Sequence, residues 1–169
     1  MTNTEIKEKL TEFINYILFP RIKLLKLNVK TKEEAGGLIT EGSLSRRLEI
    51  KLNEIGSGYQ HDNKVIIFGN YQITIKDTVQ IESETEEKEE TMDLITMTVH
   101  YRLILVMKDE FPYKPEQLTE NPEWQEILSI FFNQSGKLML MPYVRHIYDL
   151  LAREADFILP PIPPVLIRK

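Results

Sequence analysis

The sequence predicts an α+β fold, with a four-stranded antiparallel sheet and helices packed on one face. Three observations carry this expectation. Apolar residues recur at three- and four-residue steps at both ends of the chain. Between the ends, apolar and polar residues alternate over long stretches. Strict alternation of that kind marks antiparallel strands with one face buried and one in water. The 169 residues are enough for one core of ordinary size. The expected layout is one domain over 1–169: an N-terminal helix in 1–20, the sheet in 21–108, helices in 123–155 and a proline-rich tail in 156–169.

Taken in order, Ile6, Leu10, Phe13, Ile14, Ile17 and Leu18 form the apolar stripe of a helix over 4–19. Thr4 is the expected N-cap and Pro20 the expected stop. The polar face is mixed in charge, which suits core packing better than a membrane surface. A strand follows near Ile22 to Lys30. Gly36, Gly37 and Gly42 break periodicity in Glu33–Ser43, which reads as a crossing loop. Leu48, Ile50 and Leu52 alternate with Glu49 and Lys51 and start the second strand. Gly56–Gly58 suggests a bulge or bend in it.

The third strand places Val65, Ile67, Tyr71, Ile73 and Ile75 on one face and Asn70, Gln72, Thr74 and Lys76 on the other. In the fourth, Ile95, Met97, Val99, Tyr101, Leu103, Leu105 and Met107 point one way. Thr96, Thr98, His100 and Arg102 point the other way. Between these strands, Glu82–Asp93 has six glutamates around one lysine and reads as a solvated hairpin tip. Its spacing does not match a Ca²⁺ loop, and it lacks the turn glycine.

Lys108–Trp124 contains three prolines and reads as loop. Trp124, Ile127, Leu128 and Phe131 predict a short amphipathic helix, broken at Ser135-Gly136. Leu138–Met141 is an apolar run expected to be exposed. Pro142 is placed at the first position of the last helix, where its missing N–H costs nothing. Tyr143, Ile147, Leu150 and Leu151 form that helix's expected apolar stripe.

Composition narrows the function. A net charge of −5 argues against nucleic-acid partners, which need a basic face. There is no cysteine, hence no disulfide, thiol nucleophile or Cys-based zinc site. The N-terminus lacks the pattern of a signal peptide, and no apolar run approaches the length of a membrane span. A soluble, cytoplasmic protein without membrane insertion is expected. His61, His100 and His146 have no ligand-type neighbour at metal spacing. No phosphate loop, dinucleotide fingerprint or nucleophile elbow occurs. No enzyme activity, cofactor or metal is expected.

"LMPYVRHIYDLLAREADFILPPIPPVLI", from Leu140 to Ile167, resembles the C-terminal signature of the SecB family of export chaperones. The matching positions are Leu140, Pro142, Tyr143, Arg145, Ile147, Leu151, Phe157, Leu159, Pro160 and Pro161. The four alternating strands are also in family order. The resemblance covers about residues 22–167, and its last thirty or so are the specific part. It implies a SecB-like sheet with helices on one face, a homo-oligomer (dimer or tetramer), and ATP-independent holding of unfolded or precursor polypeptides in apolar grooves. The resemblance implies that the crossing loop and its flank, with Leu38, Ile39 and Leu44, wall the groove, and the apolar residues Ile50, Leu52, Leu138, Met139, Leu140, Phe157, Ile158, Leu159 and Ile162 are expected to complete it. Flexible aliphatic and methionine side chains suit clients of many shapes. Two departures stand out. The family's lid helix after the proline segment has no counterpart before Lys169, and the N-terminal helix is additional, expected to cover surface that the lid would cover. The strand-four outer face, with Thr96, Thr98, His100 and Arg102, is not acidic, which argues against docking to the export ATPase. The alternative on the same fold is a dedicated chaperone or interaction module for one partner, such as an antitoxin. A third class, an enzyme or small-ligand binder, would need a polar pocket to which the sequence gives no pointer.

Overall fold

Thr2 opens the first helix. Its hydroxyl accepts the Glu5 N–H at 3.3 Å, and the Glu5 carboxylate accepts the Thr2 N–H at 2.7 Å. This reciprocal cap satisfies two otherwise unpaired donors and starts α1 at Asn3–Asn15, two residues upstream of the expected Thr4 cap. The helix also ends before Pro20, which sits inside strand β1 (Ile17–Thr31). Ile17 and Leu18 therefore belong to a strand, and Phe13 is the one fully buried side chain of α1. The proline is tolerated because β1 is an edge strand, where a missing N–H need not break the ladder.

The computed structural model describes residues 1–31, 43–81 and 90–154. β2 (Ser43–Tyr59), β3 (Val65–Ile81) and β4 (Glu90–Met107) join β1 in one antiparallel sheet of order β1-β4-β3-β2. The turn between β2 and β3 places Asn63 at φ 59°, a left-handed conformation that asparagine tolerates. Along β3, every second residue from Ile67 to Val79 is buried, as the alternation requires. β4 follows the same rule from Ile95 to Met107. At both ends strict alternation breaks, since Leu94 beside Ile95 and Val106 between Leu105 and Met107 are also buried. The expected hairpin tip overlaps this strand: Glu90–Asp93 are in β4, and Asp93 pairs with Lys76 at 2.9 Å. The rest of that tip, 82–89, lies outside the described residues, as does most of the expected crossing loop.

β2 runs unbroken through Gly56–Gly58. Its irregularity lies upstream. Arg46 pairs with Asp77, whereas Glu54 bonds Asn70, so β2 advances one residue more than β3 between those contacts. β3 keeps its alternation, so the extra residue is a bulge in β2.

The segment expected to be loop after β4 contains a helix, α2 (Pro115–Glu120). It is followed by α3 (Pro122–Phe131), a π-helical turn (Phe132–Gly136) and α4 (Lys137–Glu154). Ser135-Gly136 therefore does not break the helix; the chain widens into a π turn and continues. Pro142 lies inside α4, not at its first position. The buried face of α4 is Leu140, Met141, Val144, Tyr148 and Ala152. Tyr143 and Leu150 of the expected stripe are 50% and 47% exposed and Ile147 and Leu151 are half-buried, so the neighbouring apolar face was selected for the core.

The residues group into two compact units, to which every strand contributes. The first comprises residues 1–25, 52–71 and 101–140. Here Phe13 meets Phe131 edge-on at 5.2 Å and Trp124 at 6.2 Å between ring centres. Trp124 also packs on Tyr113 and Phe111. The Tyr71 hydroxyl donates to the Phe132 carbonyl at 2.6 Å and so anchors the π turn to β3. Gly69 and Gly136 make this possible: a Cβ on Gly69 would lie 2.5 Å from the Phe132 ring, and one on Gly136 would strike the Tyr71 hydroxyl.

The described residues of the second unit are 26–31, 43–51, 72–81, 90–100 and 141–154. Its core is built from Ile73, Ile75, Val79, Met97 and Val99 with Val144 and Tyr148 of α4. Within it sits Asp77, a fully buried carboxylate on the apolar face of β3. Arg46 grips it with Nε at 2.7 Å from Oδ1 and a second guanidinium nitrogen at 2.9 Å from Oδ2. The Tyr148 hydroxyl also donates to Asp77 and accepts from Arg46 at 2.6 Å. The guanidinium lies 4.5 Å above the Tyr148 ring centre. Two-toothed pairing satisfies the buried charges with fixed geometry. Burial opposes the Arg46 charge, but bonding to Asp77 outweighs it and raises its pKa.

Candidate binding cleft

An open cleft of about 440 Å³ lies in the first unit, between β2 and the α2–α3 segment. Its apolar surface comes from Leu52 and Ile55 of β2, Leu118 of α2 and Leu128 of α3. Leu118 and Leu128 are buried and form its floor, while Leu52 and Ile55 are half-buried. Asn53, Glu54, Thr119, Gln125, Ser129 and Asn133 supply a polar rim.

Local chemistry holds these elements in place. The Ser57 hydroxyl donates to the Pro115 carbonyl at 2.8 Å, fastening α2 to β2. Asn121 caps α3 by accepting the Glu123 N–H at 2.9 Å, and Pro122 opens that helix. Glu123 is in turn paired with Lys9 of α1. Gln125 donates to the Thr119 carbonyl and ties α3 to α2. On the strand side, Glu54 accepts from Asn70 at 2.6 Å, and Asn70 accepts from Arg102 at 2.8 Å. α2 and α3 carry Glu116, Glu120, Glu123 and Glu126 and no lysine or arginine. The cleft is thus apolar at its base and polar at its rim, with Glu54 of β2 the one charged residue that lines it among the described residues. Because β2 is a sheet edge, one side of its backbone has no neighbouring strand of this sheet.

Of the groove residues expected from the sequence, Leu52 alone lines this cleft. Leu44 and Ile50 are half-buried on the same strand but belong to the second unit. In α4, Leu138 is exposed and Met139 half-buried. Leu140 is fully buried, so it is a core residue without a surface for a client. Leu38, Ile39, Phe157, Ile158, Leu159 and Ile162 lie outside the described residues. Ile55, Leu118 and Leu128 line the cleft and were not among the residues expected from the sequence. Leu128 was legible only as part of an amphipathic helix, and Leu118 was hidden in a proline-rich stretch read as loop.

Among the described residues no group of three or more His, Asp or Glu side chains could hold a metal ion. Among them, too, no helix is long and apolar enough to cross a membrane. The titratable groups with raised pKa values, other than Arg46 and the paired Lys9, are buried tyrosines. Burial pushes Tyr101 up to about 12 and pushes Tyr71 and Tyr148 further in the same direction.

The sheet of order β1-β4-β3-β2 with its helices is the fold of SecB-like chaperones. The particular structure that shows this is the Mycobacterium tuberculosis Rv1957 SecB-like chaperone, solved in complex with a ChAD peptide from the Rv1956 HigA1 antitoxin. The two chains are 16% identical and superpose with a TM-score of 0.55, over 95% of this chain and 98% of the other. No protein-family model and no curated protein matches the sequence.

Proposed function

We propose that this chain is an ATP-independent chaperone that holds unfolded or precursor polypeptide segments. The observation that carries the reading is the cleft beside β2, with an apolar floor, a polar rim and an adjacent strand edge. An extended client segment can place apolar side chains over Leu52, Ile55, Leu118 and Leu128 and bond the free β2 backbone. The fold relative bound to a polypeptide supports this reading. The function proposed here is binding and not catalysis, in a soluble cytoplasmic setting.

The test is aggregation suppression without nucleotide. A chemically unfolded model protein is diluted with and without this chain, and the mixture is run on a sizing column. The reading expects suppressed light scattering at near-stoichiometric ratios and co-elution of the client. Leu52→Ser with Ile55→Ser should weaken both; no effect of the pair would remove the cleft from the proposal.

A second reading is favoured by one specific observation: the peptide in the Rv1957 complex comes from an antitoxin. On that reading this chain serves one dedicated partner. A dedicated chaperone saturates with one sequence at fixed stoichiometry and leaves unrelated unfolded proteins to aggregate.

A further inference from the structure

The rim of the β2 cleft is unequal in donors and acceptors. Gln125 directs its side-chain NH2 to the Thr119 carbonyl. Asn133 directs its NH2 to the Ser129 carbonyl at 3.0 Å, with the Ser129 hydroxyl at 3.4 Å. A backbone carbonyl only accepts, so the group of each amide that meets it is the NH2. Both side chains are exposed and both line the cleft. Among the described residues their amide oxygens have no bond. The Thr119 hydroxyl commits its one proton to the carbonyls of Pro115 and Glu116. The Glu54 carboxylate accepts from Asn70 and has nothing to donate. Of the rim side chains, Asn53 and Ser129 keep a proton to offer; the other four offer acceptors.

The backbone that carries Asn133 is fixed. It lies in the π turn, a rare and wide form of helix. Phe132, the residue before it, has its ring against Gly69 and its carbonyl bonded by the Tyr71 hydroxyl. Gln125 and Asn133 are separated by eight residues, about 12 Å along a helix axis. The N–H groups of residues i and i+4, on one edge of an extended chain, are about 13 Å apart.

We propose that Gln125 and Asn133 determine the specificity of the cleft by accepting main-chain N–H groups of an extended client segment. The inference rests on the reading of this cleft as the client site. A segment bonded to β2 along one edge has a second edge, and its N–H groups need acceptors once they leave water. Two fixed amide oxygens supply them without charge. Recognition through the main chain leaves the client's side chains open. It rejects segments that lack an N–H at those places, as at proline.

The experiment measures binding to the full chain of a short fluorescent peptide alternating leucine with serine. A series of the same peptide has one amide at a time replaced by an ester, which removes an N–H and keeps the shape. On the wild-type chain both edges of the peptide should be sensitive: one through β2, the other at two positions spaced as i and i+4. Gln125→Leu with Asn133→Leu removes both acceptors and keeps the size of the side chains. It should weaken the all-amide peptide by about tenfold. It should also erase the ester effect at the two spaced positions and keep the effect on the β2 edge. Identical ester profiles in wild type and variant would overturn the inference. So would a wild-type profile with one sensitive edge, a result that needs no variant to fold. If Leu52→Ser with Ile55→Ser still weakens binding in either case, the client reading stands and the roles of Gln125 and Asn133 fall alone. If neither pair affects binding, the cleft reading falls and this inference with it.

Discussion

At the scale of single residues, three buried tyrosines behave differently because their hydroxyls do. Tyr148 is bonded to Asp77 and Arg46, and Tyr71 to the Phe132 carbonyl. Among the described residues the Tyr101 hydroxyl is buried without a partner. Removing a bonded group leaves its partners unsatisfied, whereas removing an orphan relieves a desolvation penalty. Tyr148→Phe should therefore cost about 1–3 kcal/mol in urea unfolding, and Tyr101→Phe should be neutral or stabilising. Asp77→Ala is the harsher change, because it removes the carboxylate that accepts from both the Arg46 guanidinium and the Tyr148 hydroxyl; about 3–5 kcal/mol is expected. The tyrosines also set an alkaline limit. Tyr101 has its pKa raised by burial from 10.0 to about 12 in the folded chain. The unfolded chain loses that proton first, so the stability it contributes is full below pH 10 and is lost towards pH 12. Unfolding free energies measured across that range should fall, and Tyr101→Phe should make the fall shallower. An unchanged slope in the variant would assign the limit to other groups.

At the scale of elements, the fit between β3 and the π turn depends on absent side chains. Gly69→Ala would press a methyl against the buried Phe132 ring, 2.5 Å away. Overpacking of this kind costs about 1–3 kcal/mol. Gly58→Ala is the control, since nothing lies within 4 Å of its Cβ position, and it should leave the unfolding midpoint in place. α4 presents a different problem. Tyr143 and Leu150 are exposed large apolar residues on a helix whose other face is in the core. An apolar stripe of this kind is costly to leave in water and suits self-association. We expect a homo-oligomer that uses it. Sedimentation of Tyr143→Glu with Leu150→Glu should show a smaller species than wild type; an unchanged species would place the contact elsewhere.

At the scale of the whole molecule, α1 is not an appendage. Phe13 closes an aromatic cluster with Trp124 and Phe131, and Lys9 pairs with Glu123. Deleting residues 1–15 should bare that cluster. The expected results are higher binding of an apolar dye and a lower thermal midpoint, read on the same sample. Unchanged dye binding and midpoint would mean that α1 covers nothing. A deletion that also altered client holding, with Leu52 and Ile55 intact, would link the helix to the cleft through α3.

The sequence by itself determined the strand faces of β3 and β4, the apolar side of α3 and the α+β class. Those features follow from backbone periods of 2 and 3.6 residues, which local pattern records directly. It did not determine the limits of α1, because a proline that stops a helix is equally at home in an edge strand. Nor did it choose between the two apolar faces of α4: Leu140, Val144 and Tyr148, at steps of four, read as helical just as Tyr143, Ile147 and Leu150 do at steps of four and three. Packing against the sheet made that choice. The alternation of β3 puts Asp77 on the buried face, but nothing local showed what makes a charge tolerable there, since its partners Arg46 and Tyr148 come from distant parts of the chain. The cleft was legible at Leu52 alone, because Ile55, Leu118 and Leu128 become one surface only when β2, α2 and α3 are assembled. Periodicity is a property of neighbours in the chain, whereas a buried charge and a binding surface belong to residues that only folding brings together.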